Sequence, residues 1–220
     1  SVVGGVRFLF SQPIVLALVM LDFVITGVGF FRPLLPIFAK DILHVGPAGF
    51  GVLSSAPAIG GLLGTAYMLS VGDVKHKGKV ALGAFLGYAV ALGLFALSTW
   101  FWLSLLFLAA AGLANVMQAI IRQSAFHLLA PEHLRGRAFS VFNIFAQGAD
   151  SVGAAEVGFA AAWLGAPGAL LLGSVAGALV TLGCWGLWPG LRRFRSDQAA
   201  VDDPACRRGA AAGPRIRPGR

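Results

Sequence analysis

Inside the long apolar stretches of this 220-residue chain a few polar residues recur at helical spacing. Asp22, Thr26 and Gly29 fall at i, i+4 and i+7; Asn115, Gln118 and Arg122 at i, i+3 and i+7; Ser140, Asn143, Gln147 and Asp150 at i, i+3, i+7 and i+10. On a helix each set shares one face. Such residues in a membrane interior do two kinds of chemistry. Amides and hydroxyls hydrogen-bond a passing solute or one another across helices. A carboxylate shielded from bulk water loads and releases a proton near neutral pH, or holds a cation. Asp22 and Asp150 are therefore the leading candidates for proton coupling. Glu156 is a third, rotated by roughly 120° from Asp150 on the same helix. Asp22, Thr26, Asn115, Gln118, Asn143 and Gln147 are the candidate cavity-lining groups. The amides read equally well as interhelical glue, but a lone mid-span carboxylate such as Asp22 makes poor glue. Arg122 suits either an anionic group or the headgroup layer, to which a long cationic side chain snorkels.

Other chemistries find no support. The four His (His44, His76, His127, His133) fall in or near loops with no acid and nucleophile arranged around them. There is no phosphate-binding glycine loop and no His-Glu-x-x-His. Cys184 and Cys206 are the only cysteines, too few for a disulfide framework or a metal-ligand spacing. No enzyme, metal or cofactor is expected.

Composition places these residues in a bilayer. Charged residues make up 12% of the chain and apolar ones 57%, far from the quarter charged that covers a soluble domain. Thirty glycines without a Gly-X-Y period are not collagen; they suit close-packed transmembrane helices. The net charge of +8 is concentrated at one end, since residues 191–220 carry eight Arg and three acids. A basic segment beside membrane spans reads as a topology signal or a lipid-headgroup contact rather than a nucleic-acid surface.

Crossing ~30 Å of hydrocarbon at ~1.5 Å per residue takes about 20 apolar residues. Six stretches qualify: 14–31, 46–69, 79–98, 101–122, 138–164 and 168–187. The expected fold is an all-α membrane bundle of six helices over 14–190, preceded by a linker at 1–13 and followed by a disordered basic tail at 191–220. Lys75, Lys77, Lys79, Arg122, Arg135 and Arg137 fall in loops on one side, with Arg7 and Arg192. The positive-inside rule then puts both ends in the cytoplasm. Ala56, Gly60 and Gly64, Gly83 and Gly87, and Gly173 and Gly177 form small-xxx-small rows, expected as helix contacts. The third and sixth spans, poor in polar residues, read as lipid-facing supports.

One loop is distinctive. Ala130-Pro131-Glu132-His133-Leu134-Arg135-Gly136-Arg137, with Gln118, Arg122 and Gln123 before it, resembles the Pro-x-x-Leu-Arg-Gly-Arg loop of major facilitator superfamily transporters. Leu34-Leu35-Pro36-Ile37-Phe38-Ala39 and Gly60-Gly61-Leu62-Leu63-Gly64 resemble the enterobactin-exporter-like branch of siderophore and multidrug efflux carriers. The resemblance covers about 5–195 and makes the six spans similar to helices seven to twelve, half of a twelve-helix carrier. The loop with Asp73 and Lys75 looks like the superfamily's Gly-x-x-x-Asp-Arg-x-Gly-Arg/Lys loop, but Leu69 stands for its first glycine and Val74 follows the aspartate.

The resemblance implies an inner-membrane antiporter that exports a siderophore or drug-like compound by alternating access. The first, second, fourth and fifth spans would line its cavity, and Asp73, Lys75, Arg122, Arg135, Gly136 and Arg137 would gate its cytoplasmic side. The partners implied are the lipid bilayer, a small-molecule substrate, protons, and a missing N-terminal half or a second copy. A truncated or assembly membrane protein without transport activity is the alternative.

Overall fold

The computed structural model describes residues 31–71, 77–129 and 135–187. Every regular element within them is helical. Nearly all of the first expected span, with Asp22 and Thr26, lies outside the described residues. So do Asp73 and Lys75, the linker 1–13 and the tail 191–220.

The described chain opens on a short helical stretch that loosens as it proceeds: a 3-10 turn (Arg32–Leu34), one α turn (Leu35–Ile37) and a π turn (Phe38–Ile42). Pro33 and Pro36 fit because each falls in a first turn, where its missing N–H is not needed. The π turn ends with the Leu43 N–H donating to Phe38 O at 2.9 Å and the Val45 N–H to Ala39 O at 3.0 Å. Between them His44 sits at φ 52°, the left-handed cap position that glycine usually fills. Gly46 follows at φ 67° and starts the long helices.

These are α1 (Gly46–Val71), α2 (Lys77–Leu97), α3 (Phe101–Leu129) and α4 (Arg135–Leu187). All four are long and apolar enough to cross a membrane. As one rod, the 53 residues of α4 would extend ~80 Å, well beyond one bilayer core. The helix is broken at Gly165, whose φ 73° and ψ 166° are not helical and suit glycine alone. The break separates an arm over 135–164 from an arm over 166–187. The break falls between the expected spans 138–164 and 168–187. Pro167 enters the first turn of the second arm, a position that tolerates its missing donor. Likewise α3 continues to Leu129 rather than ending at Arg122. Hydropathy marks the part of a helix inside hydrocarbon, and backbone hydrogen bonding carries the helix on into the interface.

The helices form a row in the order α1, α3, α2, α4, each packed on the next. Between α1 and α3 the backbones nearly touch. A Cβ added at Gly60 would lie 2.6 Å from the Ala109 carbonyl carbon, and one at Gly112 would lie 2.6 Å from Pro57 Cα. One added at Gly64 would lie 2.9 Å from Leu113 O. Ala56, Gly60 and Gly64 are therefore the contact row their spacing predicts. Gly83 and Gly87 make no such close approach: both are exposed, with Ala114 Cβ at 3.9 Å from a Cβ at Gly87 and no atom within 4 Å of one at Gly83.

The structure also revises the expectation for α2. In place of a lipid-facing support it is the most enclosed long helix, with 56% of its apolar window buried. Its Leu82, Phe85, Leu92 and Phe95 fill the core, and Phe95 meets Phe38 at a ring separation of 4.6 Å. Scarcity of polar residues does not distinguish lipid from protein as the apolar neighbour. At its end, Ser104 Oγ donates to Ser98 Oγ at 2.9 Å, and Ser98 Oγ to Trp100 O at 3.3 Å, so the α2–α3 turn is closed by its own side chains.

Candidate functional site

The α3 stripe is divided by depth. Asn115 is exposed, while Gln118, one turn on, is 1% exposed. Gln118 Nε2 donates to Asn115 Oδ1 at 2.9 Å. This bond holds the Asn115 carbonyl and leaves its NH2 as the outward-facing donor. Gln118 Oε1 is buried and accepts no hydrogen bond, a costly state for an amide oxygen in an apolar interior. Arg122, a further turn along, is half-buried. Gln118 is thus both an anchor for Asn115 and an unsatisfied acceptor between the helices.

On the first arm of α4 the hydroxyls are engaged locally. Ser140 Oγ donates to Gly136 O and Ser151 Oγ to Gln147 O, each at 3.0 Å. Such bonds back to the preceding turn satisfy the hydroxyl without a neighbouring helix. The longer amides Asn143 and Gln147 are exposed, Asp150 is half-buried, and Glu156 is exposed. Arg135, Gly136 and Arg137 belong to the first turn of α4 rather than to a free loop.

The structure therefore joins Asn115 to Gln118 and leaves the two stripes on separate helices. The elements α3 and α4 make no substantial contact, because α2 lies between them and packs on both. Both stripes present amides on the surface of helices whose composition is otherwise apolar. Burial of Gln118 beside exposed Asn115 was not legible from their shared stripe: positions three apart differ by about 60° around the axis, enough to place one against a neighbour and one outside.

A family model described as "Transmembrane secretion effector" matches residues 1–204. Enterobactin exporter EntS of Escherichia coli O81 (strain ED1a) is 28% identical over 161 residues, covering 72% of this chain and 38% of that protein. EntS of Shigella boydii serotype 18 (strain CDC 3083-94 / BS512) is similar to the same extent. The matched region spans about two-fifths of the length of these relatives. No solved structure matches the chain. The apolar helices, the Arg-Gly-Arg turn that opens α4 and the match over nearly the whole sequence together establish that the chain belongs to the transmembrane secretion effector family of major facilitator transporters, on the branch of the enterobactin exporters.

Proposed function

We propose that this chain forms a six-helix C-terminal half, equivalent to helices seven to twelve, of a twelve-helix inner-membrane carrier. The carrier exports a siderophore or an amphipathic drug-like molecule in exchange for protons. The observation that carries this reading is the exposure of Asn115, Asn143 and Gln147 on apolar helices. Amides facing hydrocarbon are costly, whereas amides facing a hydrated cavity completed by a second half are solvated and available to a solute. The relationship to the EntS proteins supports the direction of transport and the substrate class.

In this reading the Asn115 NH2, Asn143 and Gln147 offer hydrogen bonds to the solute. Asp22 and Asp150 exchange the coupling proton, with Glu156 as a third carboxylate. Thr26 completes the lining, while Gln118, buried between the helices, is withdrawn from it and holds Asn115 in place from behind. Rocking of the two halves about this midplane site gives alternating access. Asp73, Lys75, Arg122 and the Arg135-Gly136-Arg137 turn close the cytoplasmic side, where both chain ends lie.

The test is pH-driven export of a catecholate siderophore by the full-length carrier in inverted vesicles, comparing wild type with Asp22→Asn and Asp150→Asn. Loss of proton-driven export with retained substrate binding is expected for at least one variant. Export by both at the wild-type rate removes proton coupling from these residues.

A further inference from the structure

Asn115 and Gln118 are both amides, each able to donate and to accept, yet their surroundings give the pair a fixed sense. Ala111, Ala114, Gln118 and Ile121, at i, i+3, i+7 and i+10, form a buried stripe on α3. The stripe faces α2, since Ala114 Cβ lies 3.9 Å from where a Cβ on Gly87 would stand. From within it, Gln118 Nε2 donates outward to Oδ1 of exposed Asn115 at 2.9 Å. The cost is one buried acceptor, Gln118 Oε1, without a partner among the described residues. With both amides turned over, Asn115 Nδ2 would donate to that oxygen and the Gln118 NH2 would be the group left unpaired in the core, two donors in place of one acceptor. Buried donors are orphaned more rarely than carbonyl oxygens, so the observed sense is the favoured one.

This sense decides what Asn115 can offer. An untethered surface asparagine turns its amide to present C=O or NH2 as its partner requires. Asn115 can do so only if Gln118 turns inside a close-packed interior. Its outward group is therefore a donor in every encounter. A carbonyl, carboxylate or catecholate oxygen pairs with it. An amine or ammonium N–H meets a second donor and gives up its bond to water without replacement.

We propose that Gln118 sets specificity: by holding Asn115 Oδ1 inward it makes position 115 donor-only and selects solutes that present an oxygen acceptor there. Gln118 acts through Asn115 and touches no solute. The proposal rests on the reading that Asn115 faces the solute path.

The test is catecholate siderophore export by the full-length carrier in inverted vesicles, competed by 3,4-dihydroxyacetophenone, which brings a carbonyl, or by 3,4-dihydroxybenzylamine, which brings an ammonium. The readout is the ratio of the two inhibitory concentrations, compared between variants so that the charge difference cancels. Wild type is expected to favour the ketone by about tenfold, the order of one hydrogen bond gained or lost. In Gln118→Leu, with Asn115 free to turn, the ratio should fall about fivefold while export persists. In Asn115→Leu both the ratio and export should fall. A second measurement needs no variant: in selectively 15N-labelled wild type in nanodiscs, the Gln118 side-chain NH2 should be protected from exchange with water and the Asn115 NH2 should exchange. A wild-type ratio in folded Gln118→Leu, or protection found at Asn115 instead of Gln118, overturns the proposal. If Asn115→Leu impairs export while Gln118→Leu keeps the ratio, only this inference fails. If Asn115→Leu exports at the wild-type rate with the wild-type ratio, the place of Asn115 on the solute path fails and takes the proposal with it.

Discussion

The α1–α3 seam and the first arm of α4 are both built from apolar helix with occasional small or polar residues, yet they are opposite kinds of surface. At the seam, Gly60, Gly64 and Gly112 remove every side chain between two backbones, and Pro57 and Ala109 lie directly against the glycines. On the arm, Asn143, Ile144, Gln147, Val152 and Phe159 all project outward. The seam owes its stability to dispersion between close atoms, which has no slack. The arm is free to exchange partners. The proposed rocking carrier needs both: rigid contacts within each half, and surfaces whose contacts change between states.

Substitutions order themselves along this contrast. Gly112→Val puts a branched side chain where the Pro57 backbone stands and is expected to cost at least ~3 kcal/mol, read as loss of the monodisperse peak on fluorescence-detected size exclusion. Gly64→Ala, with Leu113 O at 2.9 Å, should cost about 1–3 kcal/mol, seen as a lower midpoint in a thermal-stability scan. Wild-type behaviour of both would break the contrast by showing that the seam has room.

Smaller effects sharpen it. Gln118→Ala leaves a cavity and frees Asn115, at a cost of about 1–2 kcal/mol. Gln118→Leu, which removes the unsatisfied oxygen and keeps volume, should match wild type within about 1 kcal/mol while lowering export if the Asn115 tether orients the solute. Gln147→Ala on the open face should shift stability by less than ~0.5 kcal/mol but reduce export. A single cysteine at position 147, with Cys184 and Cys206 replaced, should label with a membrane-impermeant maleimide. Gly83→Ala, with nothing near its Cβ, is expected to be neutral or slightly stabilising, as alanine favours helix over glycine by about 1 kcal/mol.

The helical placement of the candidate residues was legible in spacing, since Asn115 with Gln118, and Asn143 with Gln147, are found on the helices their stripes imply. Their relation was not. The pairs Gly60/Gly64 and Gly83/Gly87 have the same sequence pattern, and only the first brings two backbones into close approach. The enclosed position of α2 was hidden for a similar reason, because a core helix and a lipid-facing helix share one composition.

By itself the amino-acid sequence determined the class of solvent, the apolar helices and which helices carry the polar residues. These follow from local terms: the length needed to cross hydrocarbon, the cost of an unpaired backbone group in lipid, and the conformations open to glycine and proline. Tertiary structure alone decided the order α1–α3–α2–α4, the burial of Gln118 beside exposed Asn115, and the enclosure of α2. Lipid and protein interiors are nearly equal as apolar surroundings, so helix partners are chosen by shape complementarity between backbones distant in sequence, and that complementarity exists only once the helices have met.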